Sequence, residues 1–245
     1  MKIGIISGAS SGIGRAVAKE LDLLGLDELW LIGRSEVKLN NLKAELKSNA
    51  RCFALDLRNC EHFKAIELAL RTEKFEVKYL VLSAGVGYTG TVELNTTEQI
   101  SNMIDVNCRA LTLLTSIALP YMNVGGKIIN IASGAGFFPQ AEFAVYAATK
   151  AYVISFSRAL RKELKPKKIS VCAVCPGPVE TDFFANLENV KEYKKKYLIS
   201  PEKVAKGSIK AVNKNKALYC PTLSIKLLHL ASKLLPTSLL LKFAK

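Results

Sequence analysis

Histidine is scarce in this chain of 245 residues, which contains only His62 and His229. Neither histidine lies in a cluster of potential metal ligands along the sequence. A histidine-built metal site and a Ser-His-Asp hydrolase are therefore both disfavoured, and we expect no bound metal.

Cysteine is present but scattered, at positions 52, 60, 108, 172, 175 and 220. This distribution is typical of reduced thiols in a cytosolic enzyme. Cys172 and Cys175 have the spacing of a redox or zinc motif, but they fall in a predicted strand, where residues three apart point to opposite faces. We interpret them as core residues. The chain begins directly with a predicted strand, leaving no room for a secretory signal, so a cytoplasmic location is expected.

No apolar run is long enough to span a membrane. The most apolar stretch, residues 222–245, is interrupted by Lys226, Lys233 and Pro236. An apolar segment with lysines is consistent with an interfacial helix in peripheral contact with a membrane, with a subunit contact, or with a cover over an apolar substrate site.

Acidic residues are few in the second half of the chain. Residues 1–122 contain 14 basic and 14 acidic side chains, whereas residues 123–245 contain 21 and 7, so the formal charge of +14 arises entirely there. The excess indicates a solvated surface or attraction to an anionic partner, such as a phosphorylated or CoA-linked substrate, an acidic carrier protein or an anionic lipid surface. No nucleic-acid partner is expected, because no recognition module or aromatic platform accompanies the lysines.

A glycine-rich loop is present after the first predicted strand. The loop runs from Ser7 to Gly14 and leads into a helical pattern. Gly8 suits a tight turn, Gly12 lets a diphosphate approach the backbone, and Gly14 permits close packing of helix on strand. The amides of the first helical turn attract negative charge. This order of elements predicts a dinucleotide site.

Apolar segments alternate with helical patterns along the chain, with no internal repeat or low-complexity linker. Strands are predicted near residues 2–7, 28–32, 51–55, 79–83, 126–131, 169–174 and 217–220. The alternation predicts a single-domain α/β fold, a Rossmann-type doubly wound parallel sheet of about seven strands with helices on both faces. We expect the domain to cover residues 1–221, with residues 222–245 as an extension packed on it or associated with it.

Tyr146 and Lys150 lie four residues apart on a predicted helix and hence on one face. A tyrosine is a weak acid at neutral pH, and a nearby ammonium group is expected to lower the pKa of the phenol. Such pairs are common on ordinary helices, so this pair is informative only together with the other motifs.

The motifs together resemble the classical short-chain dehydrogenase/reductase family from residue 1 to about residue 220. Ser133 precedes Tyr146 by thirteen residues, which is the family spacing, and Asp105-Val106-Asn107 matches the position of the family's catalytic asparagine. The resemblance implies that Asn107, Ser133, Tyr146 and Lys150 are catalytic. Ser133 would hold a carbonyl oxygen and Tyr146 would protonate it, while Lys150 reaches the ribose and Asn107 fixes a water for proton supply.

The resemblance also implies a nucleotide site. Asp56 is assigned to the adenine amine, Leu57 to the ring edge, and the loop after Pro176 to the carboxamide and diphosphate. The chain departs from the family pattern at Ser7, where threonine is usual, and at Ser83, where asparagine is usual. The expected cofactor-binding residues are Gly8, Ser10, Ser11, Gly12, Ile13, Gly14, Arg34, Ser35, Asp56, Leu57, Ser83, Ala84, Gly85, Tyr146, Lys150, Pro176, Gly177, Val179 and Thr181.

The second predicted strand ends in Gly33-Arg34-Ser35, without a carboxylate. An NAD site would place Asp or Glu there to bind the ribose hydroxyls. Arg34 instead suits a 2′-phosphate, to which Ser35 would add a hydroxyl. The sequence therefore favours NADP(H) over NAD(H).

Residues 183–197 form a long predicted loop between the Pro176 motif and a helix that begins near Ser200. Loops of this length often act as lids. Phe183, Phe184, Tyr193 and Tyr197 either line an apolar pocket or anchor the loop to the core.

The function predicted from the sequence is NADPH-dependent reduction of a ketone or aldehyde, with Tyr146 as the general acid. The oxidative direction on an alcohol and a catalytically idle NADP-binding scaffold are the alternatives. The expected substrate is a small carbonyl or alcohol compound of lipid-like, acyl-type or carrier-linked character. The family pairs through the helices that hold Asn107 and Tyr146, which implies a homodimer or homotetramer.

Overall fold

A computed structural model of the chain describes residues 1–185 and 198–243. Seven strands form one parallel sheet in the order β3-β2-β1-β4-β5-β6-β7. The strands are β1 (Lys2–Ser7), β2 (Glu28–Gly33), β3 (Asn49–Ala54), β4 (Glu76–Leu82), β5 (Lys127–Ile131), β6 (Ser170–Val174) and β7 (Leu218–Tyr219). Every predicted strand is found within a few residues of its expected position. The single-domain, doubly wound parallel fold is therefore confirmed.

Helices cover both faces of the sheet. They are α1 (Gly12–Asp22), α2 (Glu36–Glu45), α3 (Phe63–Thr72), α4 (Thr97–Ile104), α5 (Leu111–Ala118), α6 (Ala144–Glu163), α7 (Asp182–Ala185), α8 (Pro201–Asn213), α9 (Leu223–Leu234) and α10 (Thr237–Phe243). A π-helical turn, Asp105–Ala110, joins α4 to α5, and short 3-10 segments include Gly134–Phe137. Helix α8 begins where the sequence predicts, because the Ser200 hydroxyl accepts the Lys203 amide and Pro201 occupies the first turn.

The sheet separates two apolar layers, and alternate residues of each strand enter opposite layers. Ile5 and Trp30 lie in one layer, and Ile6 and Leu31 lie in the other. Cys172 lies in β6 and Cys175 directly follows this strand. The two side chains obey the same rule, since Cys172 is buried in the second layer and Cys175 in the first. The interpretation of this pair as core residues is confirmed. Among the described residues, no group of three or more His, Cys, Asp or Glu side chains is placed to hold a metal ion.

The strand order reverses between β1 and β4, and such a switch point opens a crevice at the carboxyl ends of the strands. The buried Ser7 hydroxyl bridges the two strands there. It accepts hydrogen bonds from the backbone amides of Ser83 at 3.1 Å and Ala84 at 3.2 Å. A hydroxyl at this position thus fixes the separation of the two strand ends.

Helix α9 packs beside the crevice, against the 3-10 segment Gly134–Phe137. A Cβ atom added to Gly134 would lie 3.0 Å from Ile225 Cδ1, and the ring centroids of Phe137 and His229 are 4.6 Å apart. None of the described helices is both long enough and apolar enough to cross a membrane. In the predicted lid, Tyr193, Tyr197 and the side chain of Phe184 lie outside the described residues.

Candidate active site

A cavity of about 1110 Å³ occupies the crevice at the strand ends. Loops that follow six of the strands contribute to its walls, and α9 adds Ser224, Ile225 and Leu228. The loop after β1 supplies the glycine-rich segment, while the loops after β5 and β6 supply Ser133 and Pro176. Positions far apart in sequence are thus brought to one chamber.

Three of the four predicted catalytic residues meet at the wall of this cavity. Tyr146 and Lys150, on α6, are 7% and 4% exposed and both face the chamber. Lys150 Nζ donates a hydrogen bond of 3.0 Å to the Ile131 carbonyl oxygen and lies 5.6 Å from the centroid of the Tyr146 ring. The Ser133 side chain is hydrogen-bonded to the Tyr146 side chain. A phenol and a hydroxyl are therefore hydrogen-bonded at the wall of the cavity, with an ammonium group close to the phenol ring.

Asn107 is the fourth predicted catalytic residue, and it lies behind the wall rather than in it. It is 1% exposed in the π-helical turn, a feature frequent at functional sites. Its Oδ1 accepts the Val86 amide at 2.9 Å, and its Nδ2 donates to the Val86 carbonyl at 2.9 Å and to Thr149 Oγ1 at 3.0 Å. Thr149 donates in turn to the Tyr146 carbonyl at 2.8 Å. Asn107 thus connects the loop after β4 to the turn of α6 that carries Tyr146, and its part in a water relay stays a prediction.

Burial controls the protonation of the Tyr146 and Lys150 side chains. Burial raises the pKa of Tyr146 to about 12, although the hydrogen bond with Ser133 by itself lowers this pKa. Burial lowers the pKa of Lys150 to about 8, because the charged form loses its hydration. The expectation that Lys150 lowers the phenol pKa below its ordinary value is wrong in direction, since removal from water dominates. At neutral pH Tyr146 is a neutral phenol and Lys150 is largely cationic.

The glycine-rich loop has the shape of a diphosphate cradle. Gly8 and Gly12 have φ angles of +68° and +52°, in the left-handed region that favours glycine. A Cβ atom on Gly14 would lie 2.2 Å from the Gly8 carbonyl oxygen, so the helix can approach the loop only without one. Ser11 caps α1 without a side-chain hydrogen bond, in contrast to Ser35 at α2. The first-turn amides of α1 thus lack a capping side chain at the edge of the cavity, which suits an anion.

The basic side chain proposed for cofactor selection lies at the end of β2. Arg34 is exposed and lines the cavity. Ser35 does not line it, and its hydroxyl accepts the Lys38 amide at 3.3 Å as the cap of α2. The structure therefore places the guanidinium, but not the adjacent hydroxyl, at the chamber.

Asp56, assigned to adenine, is already paired within the chain. Arg58 Nη2 lies 2.6 Å from Asp56 Oδ2, and hydrogen bonds from Arg58 are the main cause that lowers the pKa of the carboxyl. Arg34 lowers it further through its charge. Two guanidinium groups thus lie near one carboxylate at this part of the chamber. Sequence reasoning missed Arg58, although its position two residues after Asp56 is the signal that finds it.

The remaining predicted cofactor residues line the cavity, with the exception of Gly14. Gly14 lies instead where α1 packs against the backbone of Gly8 in the glycine-rich loop. The residues that line the cavity come from the ends of β1, β3, β4 and β6 and from α6. They are Gly8, Ser10, Ser11, Gly12, Ile13, Asp56, Leu57, Ser83, Ala84, Gly85, Tyr146, Lys150, Pro176, Gly177, Val179 and Thr181.

Aromatic side chains surround the Tyr146 ring. Phe143 stacks on it, with centroids 4.3 Å apart and an interplanar angle of 22°, and Phe183 lies 5.7 Å away. Both phenylalanines line the cavity, as do Phe138 and Leu228. Phe183 therefore lies where the interpretation as a pocket wall requires. Phe143 was missed; it lies just before the first residue of α6, three residues before Tyr146, and this closeness in sequence is the available signal.

The chain is similar in sequence to known proteins over most of its length. The family model described as short chain dehydrogenase matches residues 2–192. An NADP-dependent 3-hydroxy acid dehydrogenase of Escherichia coli is 31% identical over 215 residues, covering 84% of this chain and 86% of that protein.

Solved structures agree with the sequence comparison. A short-chain dehydrogenase from Sphingobium yanoikuyae in complex with NADPH has a TM-score of 0.79 and 28% identity, over 91% of this chain and 89% of that one. A 3-ketoacyl-(acyl-carrier-protein) reductase from Brucella melitensis complexed with NADH has a TM-score of 0.79 and 26% identity, over 91% and 98%. Relatives of the same fold thus include complexes with either nicotinamide nucleotide.

Proposed function

Because the chain belongs to the short-chain dehydrogenase family, we propose that it is an NADPH-dependent oxidoreductase that reduces an apolar ketone or aldehyde to an alcohol. The observation that carries the proposal is the convergence of Ser133, Tyr146 and Lys150 on a cavity whose wall includes the glycine-rich loop. The glycine backbone and the first turn of α1 fit a nucleotide diphosphate, and a nicotinamide held there supplies a hydride.

The roles of the side chains follow from their protonation states. Ser133 donates a hydrogen bond to the substrate oxygen, where negative charge develops, and Tyr146 donates the proton that completes the alcohol. Tyr146 is protonated at neutral pH, as an ordinary tyrosine is, and burial raises its pKa further to about 12. The protonated phenol is the form that donates a proton in reduction. Lys150 places positive charge beside this oxygen, and Asn107 positions the helical turn of Tyr146 through Thr149.

The preference for NADPH rests on Arg34. Its exposed guanidinium lines the cavity at the end of β2, where a carboxylate would repel a 2′-phosphate. The nearby Asp56 carboxylate is occupied by Arg58, which reduces its repulsion of a phosphate. The name of the Escherichia coli relative, an NADP-dependent enzyme, agrees with this preference.

The proposed substrate is an apolar, acyl-type carbonyl compound, free or attached to an anionic carrier. Phe143 and Phe183 give the cavity apolar surface beside Tyr146. Phe138, Ile225 and Leu228 add apolar lining elsewhere in the cavity. The excess of lysine in the second half of the chain suits a phosphate-bearing or acidic carrier.

A homodimer through α4, α5 and α6 is also part of the proposal. Tyr152 of α6 is 40% exposed and stacks in parallel with Phe156 at 5.9 Å, and Ile104 of α4 is 47% exposed. These side chains give the helices an apolar outer surface that a second copy can cover. The molar mass of the protein, measured by light scattering after size-exclusion chromatography, tests this assembly. A monomer at micromolar concentration would contradict it.

We propose a cytoplasmic location for the enzyme. Its six cysteines are all free, and Cys172, Cys175 and Cys220 are buried, so the fold is built without disulfides. Fractionation of cells with an antibody against the chain tests the location.

The proposed activity is tested by NADPH consumption with a panel of medium- and long-chain ketones and aldehydes. We expect turnover with apolar carbonyls, slower turnover with short polar ones, and slower oxidation of the matching alcohols by NADP⁺ at neutral pH. Binding of NADPH without turnover of any carbonyl would favour an idle scaffold and contradict the proposal.

A further inference from the structure

The outer face of α9 carries a stripe of exposed leucines, here termed the leucine stripe. Leu223, Leu227, Leu230 and Leu234 follow the spacing i, i+4, i+7 and i+11, which places them on one face of a helix. They are between 53% and 72% exposed. The chain continues the apolar surface beyond the helix, where the exposed residues are Leu235, Leu239 and Leu241.

The leucine stripe does not serve to attach α9 to the sheet domain. The opposite face of the helix makes that attachment, through Ile225 against Gly134 and Gly177 and through His229 against Phe137. Ile225 and Leu228 also line the cavity. Seven exposed leucines within nineteen residues therefore form an apolar patch that packing among the described residues leaves uncovered, which is the mark of an interaction surface.

Positive charge borders the leucine stripe. Lys226 and Lys233 lie within one helical turn of the leucines, on the side of the helix that carries His229. A third cation, Arg158, lies on the same side, with its Nη2 atom 3.4 Å from His229 Nε2. No Asp or Glu follows Glu202 in the sequence, whereas nine lysines do. Among the described residues, neither Lys226 nor Lys233 makes an ion pair. The surface thus combines an apolar stripe with unneutralised positive charge.

We propose that this surface docks on an anionic lipid bilayer, with the leucine stripe in the acyl boundary and Lys226 and Lys233 at the headgroups. Leucines on one face and lysines beside them are the composition of a helix that lies in a membrane interface. A second copy of the chain fits less well at this surface, because the stripe of each copy is bordered by Lys226 and Lys233 and offers no carboxylate to the other. The inference goes beyond the proposed reduction and does not depend on it.

The test is co-sedimentation of the full chain with vesicles of phosphatidylcholine and phosphatidylglycerol in equal parts, and with vesicles of phosphatidylcholine alone. We expect binding to the anionic vesicles at least tenfold tighter than to the neutral ones, and weakening by added salt. Leu227→Gln with Leu230→Gln should weaken binding at least tenfold, because both apolar side chains leave the interface. Leu68→Gln, at an exposed leucine of α3, is the matched control and should bind like the original chain.

The charges are tested by Lys226→Gln with Lys233→Gln, which should reduce the preference for anionic vesicles about tenfold. Lys47→Gln, before β3 at the opposite edge of the sheet, should leave it unchanged. NADPH binding by each variant shows that it is folded. Equal sedimentation of all variants would overturn the proposal. Loss of a dimer in the Leu227 and Leu230 variant, with no vesicle binding by the original chain, would assign the stripe to a second copy and overturn it too.

Discussion

The two halves of the chain differ in how their charges are satisfied. In residues 1–122 basic and acidic side chains are equal in number, and they pair with one another, as in Arg15 with Glu45 at 2.6 Å and Arg58 with Asp56 at 2.6 Å. Within the described part of residues 123–245, only Asp182 takes part in an ion pair, with Lys38 of the first half. The first half thus balances its charges, many of them in ion pairs, and the second half presents positive charge to its surroundings.

The same division separates two parts of the proposed chemistry. The first half contributes the glycine-rich loop, Arg34 and Asp56, which hold and select a nucleotide in this proposal. The second half contributes Ser133, Tyr146 and Lys150, together with the apolar wall that includes Phe143 and Ile225. Cofactor preference and substrate chemistry are therefore expected to respond to mutations in different halves.

The largest expected effect is in the second half, at Tyr146. Tyr146→Phe removes the proton donor and retains the ring that stacks on Phe143, so kcat should fall about 1,000-fold with NADPH affinity nearly unchanged. Stopped-flow rates and fluorescence titration of NADPH measure the two quantities. Tyr152→Phe, on the same helix but outside the cavity, is the control and should keep its kcat. Similar losses in both variants would deny Tyr146 a special role.

Lys150 should show a conflict between stability and activity. Its pKa is about 8 in the folded chain against an ordinary value of 10.5, so the folded state binds fewer protons between these pH values. The resulting destabilisation is fully present below pH 8 and disappears as pH rises past 10.5. Lys150→Met should therefore stabilise the protein by up to about 3 kcal/mol at pH 7, with the gain shrinking toward pH 10, while abolishing activity.

Urea unfolding of the original chain and of Lys150→Met at the two pH values provides the measurement. A variant that is less stable at both pH values would contradict the assigned burial cost. The reductive rate of the original chain should also decline above pH 8, as Lys150 loses its charge.

In the first half, Arg34→Ala should raise the KM for NADPH about tenfold to a hundredfold, which is the loss of a charged hydrogen bond to phosphate. The KM for NADH should change less than twofold, because NADH lacks the 2′-phosphate that Arg34 is proposed to bind. Arg71→Ala, at an exposed arginine of α3 paired with Glu67, is the control. Equal changes for the two nucleotides would remove the case for NADPH.

The smallest expected effect concerns the hydroxyl that joins β1 to β4. Ser7→Ala leaves the amides of Ser83 and Ala84 without their acceptor and should cost about 1 to 3 kcal/mol of stability. Ser7→Thr retains the hydroxyl and should cost less. Chemical denaturation compares the two, and an alanine variant as stable as the original would show that the bridge contributes nothing.

Much of the fold was predictable because strand, loop and helix alternate with clear apolar runs, and β1 through β7 follow them. The meeting of Tyr146 and Lys150 was also predictable, since four residues on a helix place them on one face, whereas the place of Ser133 beside them was implied by the resemblance to the short-chain dehydrogenase/reductase family. The pKa of Tyr146 was not, because its direction depends on burial, which a spacing does not reveal. Nor were the pairing of Arg58 with Asp56 and the stacking of Phe143, which depend on side-chain placement.

The central claim, reduction of an apolar carbonyl at Tyr146, is tested most directly by hydride transfer from NADPH that carries deuterium at both hydrogen positions of the nicotinamide C4. The protein is mixed with the labelled nucleotide and a medium- or long-chain ketone, and the alcohol is analysed by mass spectrometry. We predict one deuterium on the carbinol carbon, formed by the original chain and almost absent with Tyr146→Phe. Nucleotide binding without labelled alcohol from any carbonyl offered, or equal labelling by both proteins, would contradict the account.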